Sequence, residues 1–285
     1  MHRAATRLAH ADRIARVADY IARHLDTPLD LERLAAVACF SPYHFHRVYR
    51  LTMGETPDQT VRRLRLHRAA VDLGRGDGDL LAVAKRAGYG SIAAFSRAFT
   101  QAYGQPPTAF RALRVPETRP PGRTENRTMH DVTVRDFEGV RLCGLPHRGD
   151  YNAIGSTFDR LVALAGPRGL IAADTRCFGI YYDDPETTPT AERRAFAGLT
   201  LPFGRDGGEG LEVVDLRPGP VAVYLHRGPY ADLEAAYRYL YGTWLPGSGR
   251  EPDDRPSFEE YLNDAKALPA TEWLTAVCLP LAPAG

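Results

Sequence analysis

"YGSIAAFSRAFTQAYGQPPTAFR", residues 89–111, decides the N-terminal fold. An aromatic–glycine turn leads to Ser91, whose side-chain oxygen suits the start of a helix. Phe95 and Phe99 then fall four residues apart, on one face of that helix, with Arg97 between them. Gly104 and the pair Pro106–Pro107 close the stretch. Gly88 and Gly90 permit the tight backbone that turns this helix away from the one before it. The pattern is that of a helix–turn–helix, whose second helix is presented to a groove. A small helical bundle shows the same local signs, so one occurrence alone settles little.

A second occurrence lies upstream, in "LAAVACFSPYHFHRVYRLTMGETP", residues 34–57. Ser41, Phe45, Arg47, Tyr49, Gly54 and Pro57 each stand 50 residues before Ser91, Phe95, Arg97, Phe99, Gly104 and Pro107. Ahead of the turn the offset is 49, from Ala35, Ala38 and Phe40 to Ala84, Ala87 and Tyr89, so the second copy carries one extra residue, Gly90. Repetition of this kind marks two copies of one structural unit. Between them, "PDQTVRRLRLHRAAVDLG" (57–74) predicts a helix with Val61, Leu64, Leu66 and Val71 as apolar positions and Gly74 as its stop. Two helix–turn–helix units joined by one helix make an architecture for reading DNA.

Residues 11–114 resemble the DNA-binding domain of AraC/XylS-type transcription regulators. The stretch from Ala84 to Arg111 carries the signature spacing AxxxGYxSxxxFSRAFxxxYGxxPxxFR. The resemblance implies that Tyr43, His46 and Arg47 of the first recognition helix face DNA, and Ala93, Ala94, Ser96 and Arg97 of the second. Ala93 and Ala94 are apolar where relatives often carry polar groups, which points to readout by thymine methyl contact and shape. The two helices are expected about 34 Å apart, in successive major-groove turns. Cys39 stands where the family usually has a turn glycine, and is expected to reshape the turn rather than abolish it.

Charge agrees with this. The 285-residue chain has a net charge of only +1, but residues 1–115 hold 18 basic against 10 acidic side chains, a net of +8, leaving −7 for the rest. That split separates a half suited to nucleic acid from a half with another task. Cys39, Cys143, Cys177 and Cys278 form no CxxC pair, so neither zinc nor a disulfide framework is indicated, and buried reduced thiols are expected. His44 and His46 sit two apart on a helix and point away from each other, which argues against a shared metal. No metal, cofactor or catalytic group is read from the sequence. No apolar run reaches the roughly 18 residues of a membrane span, and no leader is recognised, so a cytoplasmic protein is expected. "VPETRPPGRTENRT", 115–128, is proline-rich, polar and without periodicity; it reads as a linker.

The C-terminal part repeats too. "HRGDYNAIGSTFDRLVALAG" begins at His147 and "HRGPYADLEAAYRYLYGTWL" at His226, 79 residues later. Ile154, Phe158 and Leu161 in one helix answer Leu233, Tyr237 and Leu240 in the other, at spacing i, i+4, i+7. Apolar strands precede each HRG, and carrying the offset onward lays "GIYYDDP" over "FEEYLND", with Tyr182 under Tyr261. Each copy therefore reads strand–helix–strand–strand. The expected fold is an all-α double helix–turn–helix domain (1–114), a linker (115–128) and an α+β domain (129–285) of two such units about a pseudo-twofold axis. A groove between duplicated halves favours small-molecule binding.

This second part is similar to the GyrI-like small-molecule-binding family, through "HRGPY", "WLPGSGREP", "FEEYLND" and "CLPL". The resemblance implies a cavity for bulky, often cationic, aromatic ligands with a glutamate at its base, matched here by Glu259. One departure is "AERRAFAG" (191–198), which lacks the family's tyrosine and acidic residue. Strand alternation puts Glu259 and Tyr261 on one face and Phe258, Glu260 and Leu262 on the other, and the offset of 79 makes Ile180 and Tyr182 their repeat partners. With Tyr151, Tyr230, Trp244 and Phe258 these complete the candidate ligand-binding set, although Tyr151, Tyr182, Trp244 and Tyr261 serve equally well as core. The His-Arg-Gly turns read as strand ends, with Gly149 and Gly228 at positive φ, in preference to ligand contacts. The function expected is a one-component regulator: double-stranded DNA and a small effector as partners, RNA polymerase as a further candidate. Two other readings remain open: a hydrolase of reactive small molecules that uses a Glu–Tyr pair, and a protein-interaction module.

Overall fold

The computed structural model describes residues 2–76, 78–112, 132–185, 187–202 and 204–283; side chains are described from residue 10 onward, apart from 43 and 44. The linker at 115–128 lies outside these residues. In chain order the helices of the N-terminal part are α1 (His2–Arg23), α2 (Leu31–Val37), α3 (Pro42–Met53), α4 (Pro57–Arg75), α5 (Leu80–Arg86), α6 (Ile92–Tyr103) and α7 (Pro107–Ala112). There follow β1 (Val132–Phe137), β2 (Val140–Arg148), α8 (Ile154–Ala165), β3 (Cys177–Tyr181), β4 (Arg194–Thr200), β5 (Glu212–Leu216), β6 (Gly219–Arg227), α9 (Leu233–Tyr239), α10 (Leu245–Ser248), β7 (Ser257–Tyr261) and β8 (Leu274–Pro280). The chain thus pairs a helical N-terminal region with an antiparallel α+β region.

The contacts sort the chain into two compact units that interleave its halves: Met1–Arg65 with Val140–Leu216, and Leu66–Gly139 with Arg217–Gly285. Each unit holds one helix–turn–helix and one α+β repeat.

In the first unit, Asp30 caps α2 by accepting the Arg33 N–H at 2.8 Å. Phe45 and Tyr49 of α3 are fully buried and share a core with Ile14, Val17 and Ile21 of α1 and Leu161, Ala163 and Ala165 of α8. Its sheet is antiparallel, with β2 between β4 and β5, and β3 on the far side of β4. Helix α8 packs on β2 and β4.

The second unit repeats the plan. Asp79 caps α5 through the Ala82 N–H at 2.6 Å, and Ser91 caps α6 through the Ala94 N–H at 3.2 Å. Phe95 and Phe99 are fully buried. In its antiparallel sheet β6 lies between β1 and β8, with β7 outside β8. Helix α9 packs on β6 and β8.

Two expectations of local structure need correction. Helix α4 runs through Gly74 to Arg75, and the left-handed residue that follows is Gly76 (φ 76°). A glycine with normal helical dihedrals costs a helix only about 1 kcal/mol, so it does not stop one. The thiols are not all buried either: Cys143 and Cys278 are, Cys177 is partly so, and Cys39 is exposed.

Candidate functional site

The turn before α3 has its C-terminal carbonyls closed by Cys39 N–H to Ala36 and Phe40 N–H to Ala35; before α6 the same bonds run from Gly88 to Lys85 and Tyr89 to Ala84. Cys39 takes φ 53° where Gly88 takes 86°. The turn geometry therefore survives the substitution, with the left-handed strain borne by a residue that has a Cβ. Burying the aromatic face of each second helix turns the opposite face outward. Arg47 and Arg97 are exposed at equivalent positions, Ala93 is exposed, and His46, Ala94 and Ser96 are partly exposed. The side chain of Tyr43 lies outside the described residues.

Helix α4 is tied to α8 by charge, and the first recognition helix joins this network through a hydrogen bond from Tyr49. Arg63 on α4 donates to Glu55 Oε1 at 2.6 Å and to Asp159 Oδ2 at 2.8 Å. Burial opposes the charge on Arg63, but Asp159 and Glu55 outweigh it and raise the guanidinium's proton affinity. Thr60 donates to Glu55 at 3.0 Å and accepts from the Tyr49 hydroxyl of α3 at 2.9 Å, while burial pushes that phenol upward. Sequence reading missed Arg63 and Asp159, which are 96 residues apart. The available signal was a carboxylate set inside an otherwise apolar helical pattern.

In the second unit the candidate ligand residues converge. Glu259 is 2% exposed, and the Tyr261 hydroxyl donates to its Oε2 at 2.8 Å. Register places Glu259 opposite Val277, so the two share a face of the sheet. Val277 clusters with Leu233, Ala236 and Leu240, against which Tyr230 and Trp244 pack. Glu259, Tyr261, Tyr230 and Trp244 are thus on the helix-covered side. Phe258 lies on the opposite face, 4.9 Å from the ring of Phe137. Glu260 shares that face and is itself buried. Opposite Phe258, Cys278 has its thiol pushed up to about 12 by burial.

The repeat partners differ from those expected. At the helix starts the offset is 79, Ile154 to Leu233; at the left-handed glycines that end the helical segments, Gly169 and Gly249, it is 80. The extra residue is absorbed by a π-helical turn, Leu240–Trp244, where the Leu245 N–H reaches back five residues to the Leu240 carbonyl. A π-turn is how a helix accommodates one added residue without breaking. Beyond it every strand position shifts, so β3 answers β7 at an offset of 80. Gly179 and Tyr181, not Ile180 and Tyr182, are the counterparts of Glu259 and Tyr261. A slip of one residue exchanges the faces of a strand. Ile180 is fully buried at the position of Glu260, and Tyr182, 42% exposed, follows the strand. Tyr181 meets Tyr151 edge-on at 4.9 Å, as Tyr261 meets Tyr230 at 5.3 Å. Tyr151 is engaged structurally: its hydroxyl donates to the carbonyls of Asp183 (2.9 Å) and Arg194 (3.0 Å).

The His-Arg-Gly turns are strand ends held by their histidines. His147 Nε2 lies 3.0 Å from the Asp150 carbonyl, which fixes that nitrogen as the donor, and Nδ1 lies 2.8 Å from the Thr157 hydroxyl. Burial lowers the proton affinity of His147. His226 Nε2 faces the Pro229 carbonyl in the same way at 3.2 Å. Gly149 and Gly228 have φ of 114° and 143°.

Comparison with known proteins matches the chain in two successive stretches. The profile of the GyrI-like small molecule binding domain matches residues 130–282, more than half of the sequence. The chain belongs to the GyrI-like family. A helix-turn-helix domain profile matches residues 34–113, the AraC-type part. The chain is 32% identical over 155 residues to a DNA gyrase inhibitor of Edwardsiella piscicida, covering 53% of this chain and 97% of that one. The right origin-binding protein of Escherichia coli K12 is 32% identical over 127 residues, 43% of each chain, so the alignment spans less than half of that relative. The transcriptional regulator Rob of Salmonella typhimurium LT2 is 23% identical over 235 residues, 78% of this chain and 81% of that one. Among the described residues no helix is long and apolar enough to cross a membrane.

Proposed function

We propose that the chain is a one-component transcription regulator: its paired helix–turn–helix units read DNA, and its GyrI-like part binds a small aromatic cation. The observation that carries the first half is the matched exposure of Arg47 and Arg97 on helices whose aromatic faces are fully buried. A guanidinium so placed reads guanine in the major groove by paired hydrogen bonds. The second half draws support from the buried Glu259 and its hydrogen bond from the half-buried Tyr261, because a carboxylate held among aromatic rings favours a flat cation. Selecting duplexes from a random pool with the full chain tests the DNA reading. Arg47→Ala is expected to lose about 1–3 kcal/mol on the selected duplex and to relax preference at one base position. Equal loss on selected and random duplexes would assign Arg47 to phosphate instead.

The same pair supports a second reading, hydrolysis of a bound electrophile by a water that Glu259 and Tyr261 direct. Turnover that disappears in Glu259→Gln would favour it over reversible, stoichiometric binding.

A further inference from the structure

Between Glu259 and the second recognition helix lies an unbroken series of side-chain contacts. Tyr261 donates to Glu259 at 2.8 Å, and its ring meets Tyr230 edge-on at 5.3 Å. Tyr230 lies 4.5 Å from Trp273, at 33°. Trp273 meets Tyr103, the last residue of α6, at 6.4 Å, and Tyr103 stacks on Phe99 at 4.5 Å. Phe99 belongs to the buried face of the helix that exposes Arg97. Trp273 is 8% exposed, and its indole N–H donates to the Leu268 carbonyl at 3.0 Å, which holds the ring in place. With Ala270 it completes the core formed by Leu73, Val83, Phe95, Phe99 and Phe110. Thr271 adds a contact with the end of α6: a Cβ on Gly104 would meet its Cγ2 at 2.8 Å.

In the first repeat the described residues at the same place are of another kind. Arg193 stands where Trp273 does, and its guanidinium donates to Thr188 and Pro185 carbonyls of its own loop at 3.0 and 2.6 Å. Tyr151, the counterpart of Tyr230, is fastened by its hydroxyl to Asp183 and Arg194.

We propose that Trp273 is the coupling residue of this protein: through it, occupation of the Glu259–Tyr261 site is transmitted to α6 and alters DNA affinity. The inference rests on the reading of Glu259 as the ligand's carboxylate. A cation that takes Glu259 Oε2 competes with the Tyr261 hydroxyl for its acceptor. Tyr261 then turns, and because close-packed rings have few alternative arrangements, Tyr230 and Trp273 repack with it. Trp273 shares one core with Phe95 and Phe99, so its repacking reaches the presentation of Arg97.

The experiment measures the dissociation constant of a pool-selected duplex with and without saturating rhodamine 6G, in the full chain. Wild type is expected to shift by about 5-fold or more, within the usual range of coupling between sites. In Trp273→Leu the shift should collapse towards none while the dye still binds. Trp273→Phe should restore most of it, which a purely structural role would not require, and Arg193→Leu should leave it intact. A full shift in a folded Trp273→Leu overturns the proposal and leaves the functional reading standing. If Trp273→Leu does not fold, Tyr230→Leu breaks the same series one contact earlier, and a retained shift there overturns it equally. Dye binding to wild type without any shift would overturn both the coupling and the reading of the site as a switch.

Discussion

The two units share a plan but fasten recognition helix to repeat by different chemistry. In the first, a half-buried guanidinium bridges Glu55 and Asp159, and Tyr49 joins through Thr60. In the second, the corresponding connection is aromatic, from Tyr103 through Trp273 to Tyr230. A charged bridge depends on all its members, since any one left alone is a buried unpaired charge. Ring packing degrades by degrees and can rearrange. On the coupling proposed above, the first unit holds and the second responds.

The largest expected effect breaks the charged bridge. Arg63→Met leaves the buried Asp159 and the half-buried Glu55 without their shared cation and should cost about 3–5 kcal/mol in urea unfolding. A loss below 1 kcal/mol would mean that Asp159 and Glu55 are solvated. Next come the glycines that end the two recognition helices, both at φ 72°. Gly54→Ala meets nothing within 4 Å and should cost only the left-handed strain, about 1–2 kcal/mol. Gly104→Ala meets Thr271 as well and should cost a further 1–3 kcal/mol or so, an excess that Thr271→Ala removes. Equal costs for the two glycines would show that the second helix is not closed by its repeat.

Smaller still is the turn pair. Cys39→Gly relieves left-handed strain but adds unfolded-chain entropy, for a net gain of about 0.5 kcal/mol; Gly88→Ala should lose about 1–2 kcal/mol. The smallest effect is a pH slope. Burial lowers the proton affinity of His147 in the folded chain, so its contribution is complete above the ordinary histidine range and declines as pH falls through it. Thermal melts of His147→Gln between pH 7 and 5 should be flatter than those of wild type; a steeper curve would contradict the assignment.

The helical half was legible because its signals are local. The cap Ser91 was read from its place before an apolar helical pattern, and Phe45 and Phe95, 50 residues apart, are both fully buried. Glu259 and Tyr261 were legible as neighbours because alternation along one strand needs no tertiary information. Their repeat partners were not. The extra residue is taken up inside a helix that continues without a break, and nothing in "YRYLYGTWL" announces a π-turn, so the offset of 79 was carried one strand too far. Arg63, Asp159 and Trp273 escaped notice for another reason: what they touch comes from distant sequence, and their roles exist only once the repeats meet the helices.

We propose that the duplicated frame holds its ligand on one carboxylate, Glu259, where the other repeat has Gly179. Calorimetric titration of rhodamine 6G into wild type, Glu259→Gln and Glu260→Gln tests it most directly. One dye is expected per chain, weakened by roughly 1.5–3 kcal/mol in Glu259→Gln, the range for a charged hydrogen-bonding partner, and little changed in Glu260→Gln. Weakening confined to Glu260→Gln would place the ligand on the opposite face of the sheet and contradict the account.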